Sequence, residues 1–161
     1  MLTQEYLKSV LNYDQETGIF TWKEKISDKI VIGKIAGSNN KGYIQIRLNK
    51  KLYFSHRLAW LYVYGEFPKY MIDHINNNPA DNRICNLREA TNQQNQFNRK
   101  LSKANTSGIK GVCWSKQYNK WIARIRANGK RIYLGCFDNL EFAELVVKEA
   151  RNKFHGIFAK N

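Results

Sequence analysis

The chain has 161 residues, with 27 Lys and Arg against 13 Asp and Glu, which gives a formal net charge of +14. Its apolar residues (43%) and aromatic residues (13%) are sufficient for one medium or two small packed cores and exclude wholesale disorder. No apolar run approaches the ~20 residues of a membrane span, and the N-terminal residues lack the apolar core of a signal peptide. The three cysteines form no C-x-x-C pair, which argues against a disulfide framework or a thiolate zinc site and fits a reducing compartment.

The positive charge is concentrated in the second half of the chain. Between Glu89 and Asp138 there is no acidic residue, and aromatic and β-branched residues alternate with the basic ones. This interleaving predicts a folded basic surface for a polyanion, most simply nucleic acid. The basic residues of this stretch are Arg99, Lys100, Lys103, Lys110, Lys116, Lys120, Arg124, Arg126, Lys130 and Arg131.

Hydrophobic spacing and turn residues predict helices and short strands in the first half of the chain. Thr3 is a suitable N-cap for the first helix, and Gly65 with Pro68 ends a second, mostly buried helix. The predicted elements are a helix at 3–12, a strand at 19–23, a hairpin of 43–48 and 52–55, and a helix at 56–65.

The second half begins with two short strands around a dense turn and changes pattern after a polar segment. Asn128-Gly129 is a strong hairpin signal between the last two strands, and Asn139 is a suitable cap for the final helix. The predicted elements are strands at 71–75 and within 83–90, a helix from Thr91 to about Lys100, strands at 110–116, 121–127 and 131–137, and a final helix whose core stripe is Phe142, Leu145, Val146 and Phe154.

Residues 72–98, IDHINNNPADNRICNLREATNQQNQFN, contain the polar groups that carry chemistry. The carboxylate of Asp73 and the side-chain carbonyl of Asn95 are oxygen ligands of the kind that Mg²⁺ accepts, with substrate oxygens and waters completing an octahedral shell. His74 has an ordinary pKa of ~6.5 and can take a proton from water near neutral pH. Because adjacent strand residues point to opposite faces, Asp73 and His74 share a phosphate only by flanking it or by a distortion of the strand.

This segment resembles the HNH (ββα-metal) nuclease motif of phage and intron-encoded endonucleases, over roughly residues 43–100. The resemblance implies that Asp73 and Asn95 bind the metal, that His74 activates water, and that Asn86 holds the loop and the histidine in place. The last position is Asn and not His, as in the phage homing-endonuclease branch. Asn92 and Asn98 share the helical face of Asn95 and remain alternatives for that role, and a plain turn without catalysis is the other interpretation.

Residues 108–156 resemble the Apetala/ethylene-response-factor DNA-binding domain through GV, KW-x-A-x-I-R, Y-LG-F-D and the closing helix. That family lays a three-stranded sheet in the major groove. The strand alternation places Arg124, Arg126, Arg131 and Tyr133 on the outer face. The first strand departs from the family, since it carries Cys113, Trp114 and Ser115 in place of arginines, and we expect Trp114 and Trp121 to pack in the core. The predicted DNA-binding residues are Arg124, Arg126, Arg131, Tyr133, Lys116 and Lys120.

The predicted fold class is α+β: a ββα-metal HNH nuclease module followed by a three-stranded antiparallel sheet packed on one helix. The predicted domains are 1–42, a helix and short strands of unclear role; 43–100, the nuclease; 101–107, a linker; and 108–161, the DNA-binding domain. Two further histidines are expected to be structural. His56 would pack and satisfy a carbonyl, with contact to a phosphate or to a ligand of the metal as the alternative. His155 would be favoured by the dipole of the last helix.

The predicted function is a metal-dependent DNA endonuclease that nicks or cuts duplex DNA, with one Mg²⁺ or Mn²⁺ per active site. The predicted partner is double-stranded DNA, with no membrane, and the protein acts as a monomer or weak dimer in the cytoplasm, that of the host cell if phage-encoded. The alternative is a non-catalytic, sequence-specific DNA-binding regulator. An RNA-binding protein is disfavoured, because the sheet lacks exposed aromatic residues in a stacking arrangement.

Overall fold

A computed structural model describes residues 2–159. Within them the chain has a mixed α and β architecture with four α-helices and several small antiparallel sheets. The chain divides into two compact units, the first ending at Thr91 and the second beginning at Asn92. None of the helices in residues 2–159 combines the length and the apolarity needed to cross a bilayer.

The first unit consists of three small sheets and two helices. The elements are α1 (Gln4–Val10), β1 (Leu11–Tyr13), β2 (Phe20–Trp22), β3 (Ser38–Asn40), β4 (Tyr43–Leu48), β5 (Lys51–Phe54), α2 (Ser55–Tyr64), β6 (Met71–His74), a 3-10 helix (Ile84–Asn86) and β7 (Leu87–Ala90). Strands β1 and β2 pair antiparallel, as do β6 and β7, and the third sheet has the order β3–β4–β5.

The core of the first unit is shared by the N-terminal segment and the following strands and helix. Leu7, Leu11 and Phe20 are buried in the same cluster as Ile46 and Leu58. Segment 2–42 is therefore part of the body that carries β6 and β7, and it supports those strands through apolar packing.

The second unit contains a three-stranded sheet covered by one long helix. The elements are α3 (Asn92–Asn98), β8 (Val112–Ser115), β9 (Lys120–Ala127), β10 (Lys130–Phe137), α4 (Leu140–His155) and a 3-10 helix (Gly156–Phe158). The strand order is β10–β9–β8, antiparallel throughout, and the buried core consists of residues from β8, β9 and α4.

Local sequence signals determine several of these boundaries. The hydroxyl of Thr3 accepts a hydrogen bond from the backbone N–H of Tyr6, and Oδ1 of Asn139 accepts one from Glu141 at 2.6 Å. Gly65 ends α2 in the left-handed conformation, at φ 82°. Glycine adopts this backbone conformation more easily than residues that have a Cβ. The predicted strand at 43–48 is found with the same bounds.

Two core predictions for the second unit are wrong. The predicted stripe Phe142, Leu145, Val146 and Phe154 does not form the buried face of α4, because the helix turns Ala143, Val147 and Ala150 toward the sheet and leaves Phe142, Leu145 and Phe154 exposed. Phe142 and Leu145 lie outside this face, whereas Phe154 follows Ala150 by four residues on the same face but lies at the C-terminal end of the helix, beyond the buried core.

Trp114 is the second correction. The sequence predicts that it packs in the core, but 39% of its surface is exposed. It lies opposite Trp121 in the β8–β9 register, with the ring centroids 4.9 Å apart in an edge-to-face arrangement. The side chain therefore packs on its cross-strand neighbour at the margin of the core, and Trp121 makes the contact with the core.

Candidate active site and nucleic-acid interface

The β6–β7 hairpin carries the Asp-His pair of the sequence motif. In its register Asp73 lies opposite Arg88 and His74 lies opposite Leu87. Both residues of the pair are buried, Asp73 at 4% exposure of the whole residue and His74 at 7%. A carboxylate and an imidazole this far from solvent need polar partners, and each has a different set.

Asp73 forms a buried ion pair across the hairpin. Nε and Nη2 of Arg88 each lie 2.8 Å from the same oxygen, Oδ2, of Asp73. This arrangement balances the charge of the carboxylate and fixes its orientation. Arg88 was not identified from the sequence, although strands predicted at 71–75 and 83–90 contain both members of the pair.

His74 lies in an aromatic and amide environment on the other side of the strand. Its Nε2 is 3.3 Å from Oδ1 of the buried Asn82, and its ring centroid is 5.1 Å from that of His56 and 6.2 Å from that of Tyr43. Burial lowers the pKa of His74, and the hydrogen bond to Asn82 and the charge of Asp73 oppose this shift. A lowered pKa keeps the imidazole neutral at pH 7, and the neutral ring is the form that accepts a proton.

His56 packs as predicted: it is buried and its ring stacks on Phe54. The predicted bond to a carbonyl is not found, because its Nδ1 has no hydrogen-bond partner among residues 2–159. Burial lowers the pKa of His56 to about 3, with the neighbouring His74 as the second cause. A neutral His56 adds no positive charge beside His74.

Asn86 ties the ends of the loop between β6 and β7. Its Oδ1 accepts from the backbone N–H of Asn76 at 3.0 Å, and its Nδ2 donates to Oδ1 of Asn76 at 3.0 Å and to the carbonyl of Asp81 at 2.8 Å. The backbone of Asn86 also accepts from Ile75 at 2.9 Å. The hydrogen bond to the His74 ring comes from Asn82, a residue that the sequence motif did not single out.

The asparagines proposed for the last motif position lie on α3, which belongs to the second unit. Asn92 is exposed, Asn95 is half-buried and Asn98 is buried. Within residues 2–159 no three His, Cys, Asp or Glu side chains cluster as a metal site. The donor types of the motif, one carboxylate and one amide oxygen, nevertheless fit a hard divalent cation that takes its remaining ligands from water and substrate.

The sheet of the second unit presents a cationic outer face. Arg126 and Arg131 lie directly opposite each other in the β9–β10 register, as do Arg124 and Tyr133, and all four side chains are exposed. Two like charges in a cross-strand pair repel, and a bound anion relieves this repulsion. Lys116 is also exposed, whereas Lys120 forms an exposed ion pair with Asp138 at 3.0 Å.

A cavity of about 580 Å³ adjoins this face; we call it the basic cavity. None of the described residues that line it is acidic, and five are arginine or lysine. The lining residues are Asn92, Gln93, Gln96, Phe97, Lys110, Gly111, Arg124, Ile125, Arg126, Gly129, Arg131, Arg151 and His155.

One wall of the basic cavity is built on Phe97. Its carbonyl accepts from Nζ of Lys110 at 3.0 Å, and its ring stacks on His155 with the centroids 3.7 Å apart. His155 also donates from Nε2 to the carbonyl of Arg126 at 2.9 Å. Burial lowers the pKa of His155, and the ring lies in the last turn of α4, where it packs in this wall.

Comparisons with known proteins point to one class. Residues 53–97 match the HNH endonuclease family, a range that contains β6, the following loop and β7. Protein 3.8 of Escherichia phage T7 is 39% identical over 106 residues, which cover 65% of this chain and 87% of that protein. No solved structure matches significantly.

Proposed function

The chain belongs to the family of phage T7 Protein 3.8 and contains an HNH endonuclease domain at residues 53–97, and we propose that it is a metal-dependent endonuclease of duplex DNA. The observation that carries this proposal is the state of His74. It is a buried, neutral imidazole next to a buried carboxylate, on the hairpin that matches the nuclease family. Perturbed titratable groups of this kind are typical of catalytic sites.

His74 is the general base of the proposed reaction. Its neutral ring takes a proton from the attacking water as the oxygen bonds to phosphorus. Asn86 holds the loop that follows the histidine, through its bonds to Asn76 and Asp81. As this bond forms, the bond between phosphorus and the 3′ oxygen breaks, and a water molecule gives the leaving oxygen its proton.

Asp73 and Asn95 are the proposed ligands of one Mg²⁺ or Mn²⁺. When bound, such an ion stabilises the negative charge on the phosphate and on the leaving oxygen. Arg88 orients the Asp73 carboxylate through its two contacts to Oδ2.

The outer face of the C-terminal sheet is the proposed DNA-docking surface. Arg124, Arg126, Arg131 and Tyr133 are exposed there, and the Arg126–Arg131 pair concentrates positive charge. Arginine can contact phosphates or read guanine with two hydrogen bonds. Lys116 is a proposed phosphate contact; Lys120 has to leave Asp138 to become one.

Plasmid cleavage with purified protein tests this function. We expect nicking or linearisation with Mg²⁺ or Mn²⁺, none after chelation, and none with His74→Ala, whose DNA affinity should stay near that of the wild type. Met71→Ala is a matched control on the same strand, because Met71 is largely exposed, and it should cleave normally. Cleavage by His74→Ala at the wild-type rate contradicts the proposal. DNA binding without any cleavage by the wild type favours the regulator instead.

A further inference from the structure

We propose that Asn82 is a positioning residue for His74, and that the N-terminal hairpin β1–β2 holds Asn82 in place. The inference rests on the proposed role of His74 as general base. Asn82 is 2% exposed and lies in the loop between β6 and β7, eight residues after His74. Its side chain bonds the imidazole and its backbone is fixed by Tyr13 and Gly18.

The amide of Asn82 selects one tautomer of the His74 ring. Nδ2 of Asn82 donates to the carbonyl of Ala80 at 3.1 Å, which leaves Oδ1 as the atom that faces Nε2 of His74 at 3.3 Å. A carbonyl oxygen only accepts, so the proton of the neutral ring is on Nε2. The lone pair that accepts a proton in catalysis is then on Nδ1, and the hydrogen bond restrains the ring against rotation.

Tyr13 holds the backbone of Asn82 from the N-terminal hairpin. Its hydroxyl donates to the carbonyl of Asn82 at 2.6 Å, and its ring stacks on Phe20 with the centroids 4.6 Å apart. Burial raises the pKa of Tyr13, so the phenol keeps its proton and remains a donor. The bond joins positions 69 residues apart in sequence.

Gly18 brings the turn of the same hairpin against the same peptide. It has φ +72°, and a Cβ built on it would lie 2.4 Å from the backbone nitrogen of Arg83 and 2.5 Å from the carbonyl carbon of Asn82. Any other residue here pushes the Asn82–Arg83 peptide away, because backbone atoms cannot yield as a flexible side chain does. The N-terminal hairpin therefore has a function: it buttresses the residue that orients the general base.

Asn82 and Asn86 have different roles in the loop between β6 and β7. Asn86 bonds the loop to itself through Asn76 and Asp81, whereas Asn82 bonds the ring. Loss of Asn82 should therefore affect the orientation of His74, and loss of Asn86 should affect the shape of the loop.

The ring tautomer is the first test, and it does not depend on cleavage. The ¹⁵N resonances of His74 in the intact protein, recorded at pH ~8 where the imidazole is neutral, should identify Nε2 as protonated. In Asn82→Leu, which removes the acceptor at similar size, we expect the tautomers to mix. In Asn82→Asp, which keeps the acceptor oxygen, the Nε2–H form should return. A wild-type ring protonated on Nδ1, or an unchanged ring in Asn82→Leu, overturns the proposal.

Single-turnover cleavage is the second test. Asn82→Leu should lower the rate constant on the order of 10- to 100-fold, with the Kd for DNA changed less than about twofold. Tyr13→Phe, a milder change far from the ring, should lower it severalfold. Tyr62→Phe is the matched control, because Tyr62 lies in the same aromatic cluster with centroids 5.6 Å from Tyr13 and its hydroxyl is outside this chain of bonds. Equal rates in Tyr13→Phe and Tyr62→Phe overturn the role of the N-terminal hairpin. If the wild type does not cleave, the proposed function fails while the tautomer result still decides the role of Asn82.

Discussion

Arg88 and Asp73 face each other across the β6–β7 pair, and the guanidinium places two nitrogens at 2.8 Å from one carboxylate oxygen. The pair joins the strand that carries the proposed active site to its partner strand. Both side chains are largely shielded, at 14% exposure for Arg88 and 5% for Asp73. The pair is therefore unlike the exposed ion pairs of this chain, and its removal should be costly.

Arg88→Met should destabilise the protein by about 3 kcal/mol or more, because it leaves a buried carboxylate without its cation. The measurement is the free energy of unfolding from urea titration at neutral pH. Lys148→Met is the control: the ion pair of Lys148 with Glu144 is exposed, at 47% and 36% of the two side chains, so its loss should have a small effect. Equal decreases in the free energy of unfolding for the two variants would show that burial does not determine the cost of removing an ion pair.

Binding to duplex DNA should weaken steeply with salt. If six cationic side chains reach phosphates, the logarithm of the binding constant should fall against the logarithm of the salt concentration with a slope of about −5. Each of Arg124→Ala and Arg126→Ala should flatten this slope by about 1 if that side chain contacts a phosphate. Lys25→Ala is a control, since Lys25 is paired with Asp28 in the first unit. Unchanged affinity in both arginine variants would exclude the proposed docking face.

Acid should destabilise the first unit through His56. The unfolded histidine binds a proton near pH 6.5, whereas the folded one does so only near its lowered pKa of about 3. Between these values the unfolded state binds more protons, so stability is highest above pH ~6.5 and falls as the pH decreases, by up to ~1.4 kcal/mol per pH unit.

The comparison of wild type with His56→Phe isolates this effect. The variant keeps a ring beside Phe54 but removes the titration, so its free energy of unfolding should fall less between pH 6.5 and pH 4. Parallel curves for the two proteins would show that His56 is not the group responsible.

The two faces of α4 should respond differently to truncation. Val147 is 1% exposed in the core, and Val147→Ala should cost about 2 kcal/mol. Leu145 is 62% exposed, and Leu145→Ala should change the stability by less than ~0.5 kcal/mol. Thermal unfolding of the two variants measures this difference. A larger loss of stability for Leu145→Ala than for Val147→Ala would contradict the buried face of α4 and favour the core stripe predicted from the sequence.

Much of the local structure was predictable because its signals are local. Thr3 and Asn139 cap helices, Asn128-Gly129 joins β9 to β10, and alternation along β9 predicts Arg124 and Arg126 on the exposed face, where they are found. Helix α4 was harder, since two apolar stripes compete on its surface. The spacing between helix and sheet decides which one is buried, and no single segment encodes that spacing.

The motif of the site was predictable from the sequence, but the residues that hold its side chains in position were not. Asp73 and His74 stand out as adjacent ionisable residues before a turn. Arg88 required the strand register, and Tyr13 required a contact between residues 69 positions apart. Asn82 lies among several asparagines of one turn, and only the fold distinguishes the one that meets the imidazole.

The register of β6 and β7 limits where this lineage can gain or lose residues. A single-residue insertion or deletion within Met71–His74 or Leu87–Ala90 exchanges the two sides of a strand, so it separates Asp73 from Arg88 and also turns His74 away from Asn82. We expect such insertions and deletions to abolish the activity, whichever residue is inserted or deleted. Length variation should instead be tolerated in the exposed segment 24–34, which contributes no residue to the buried core.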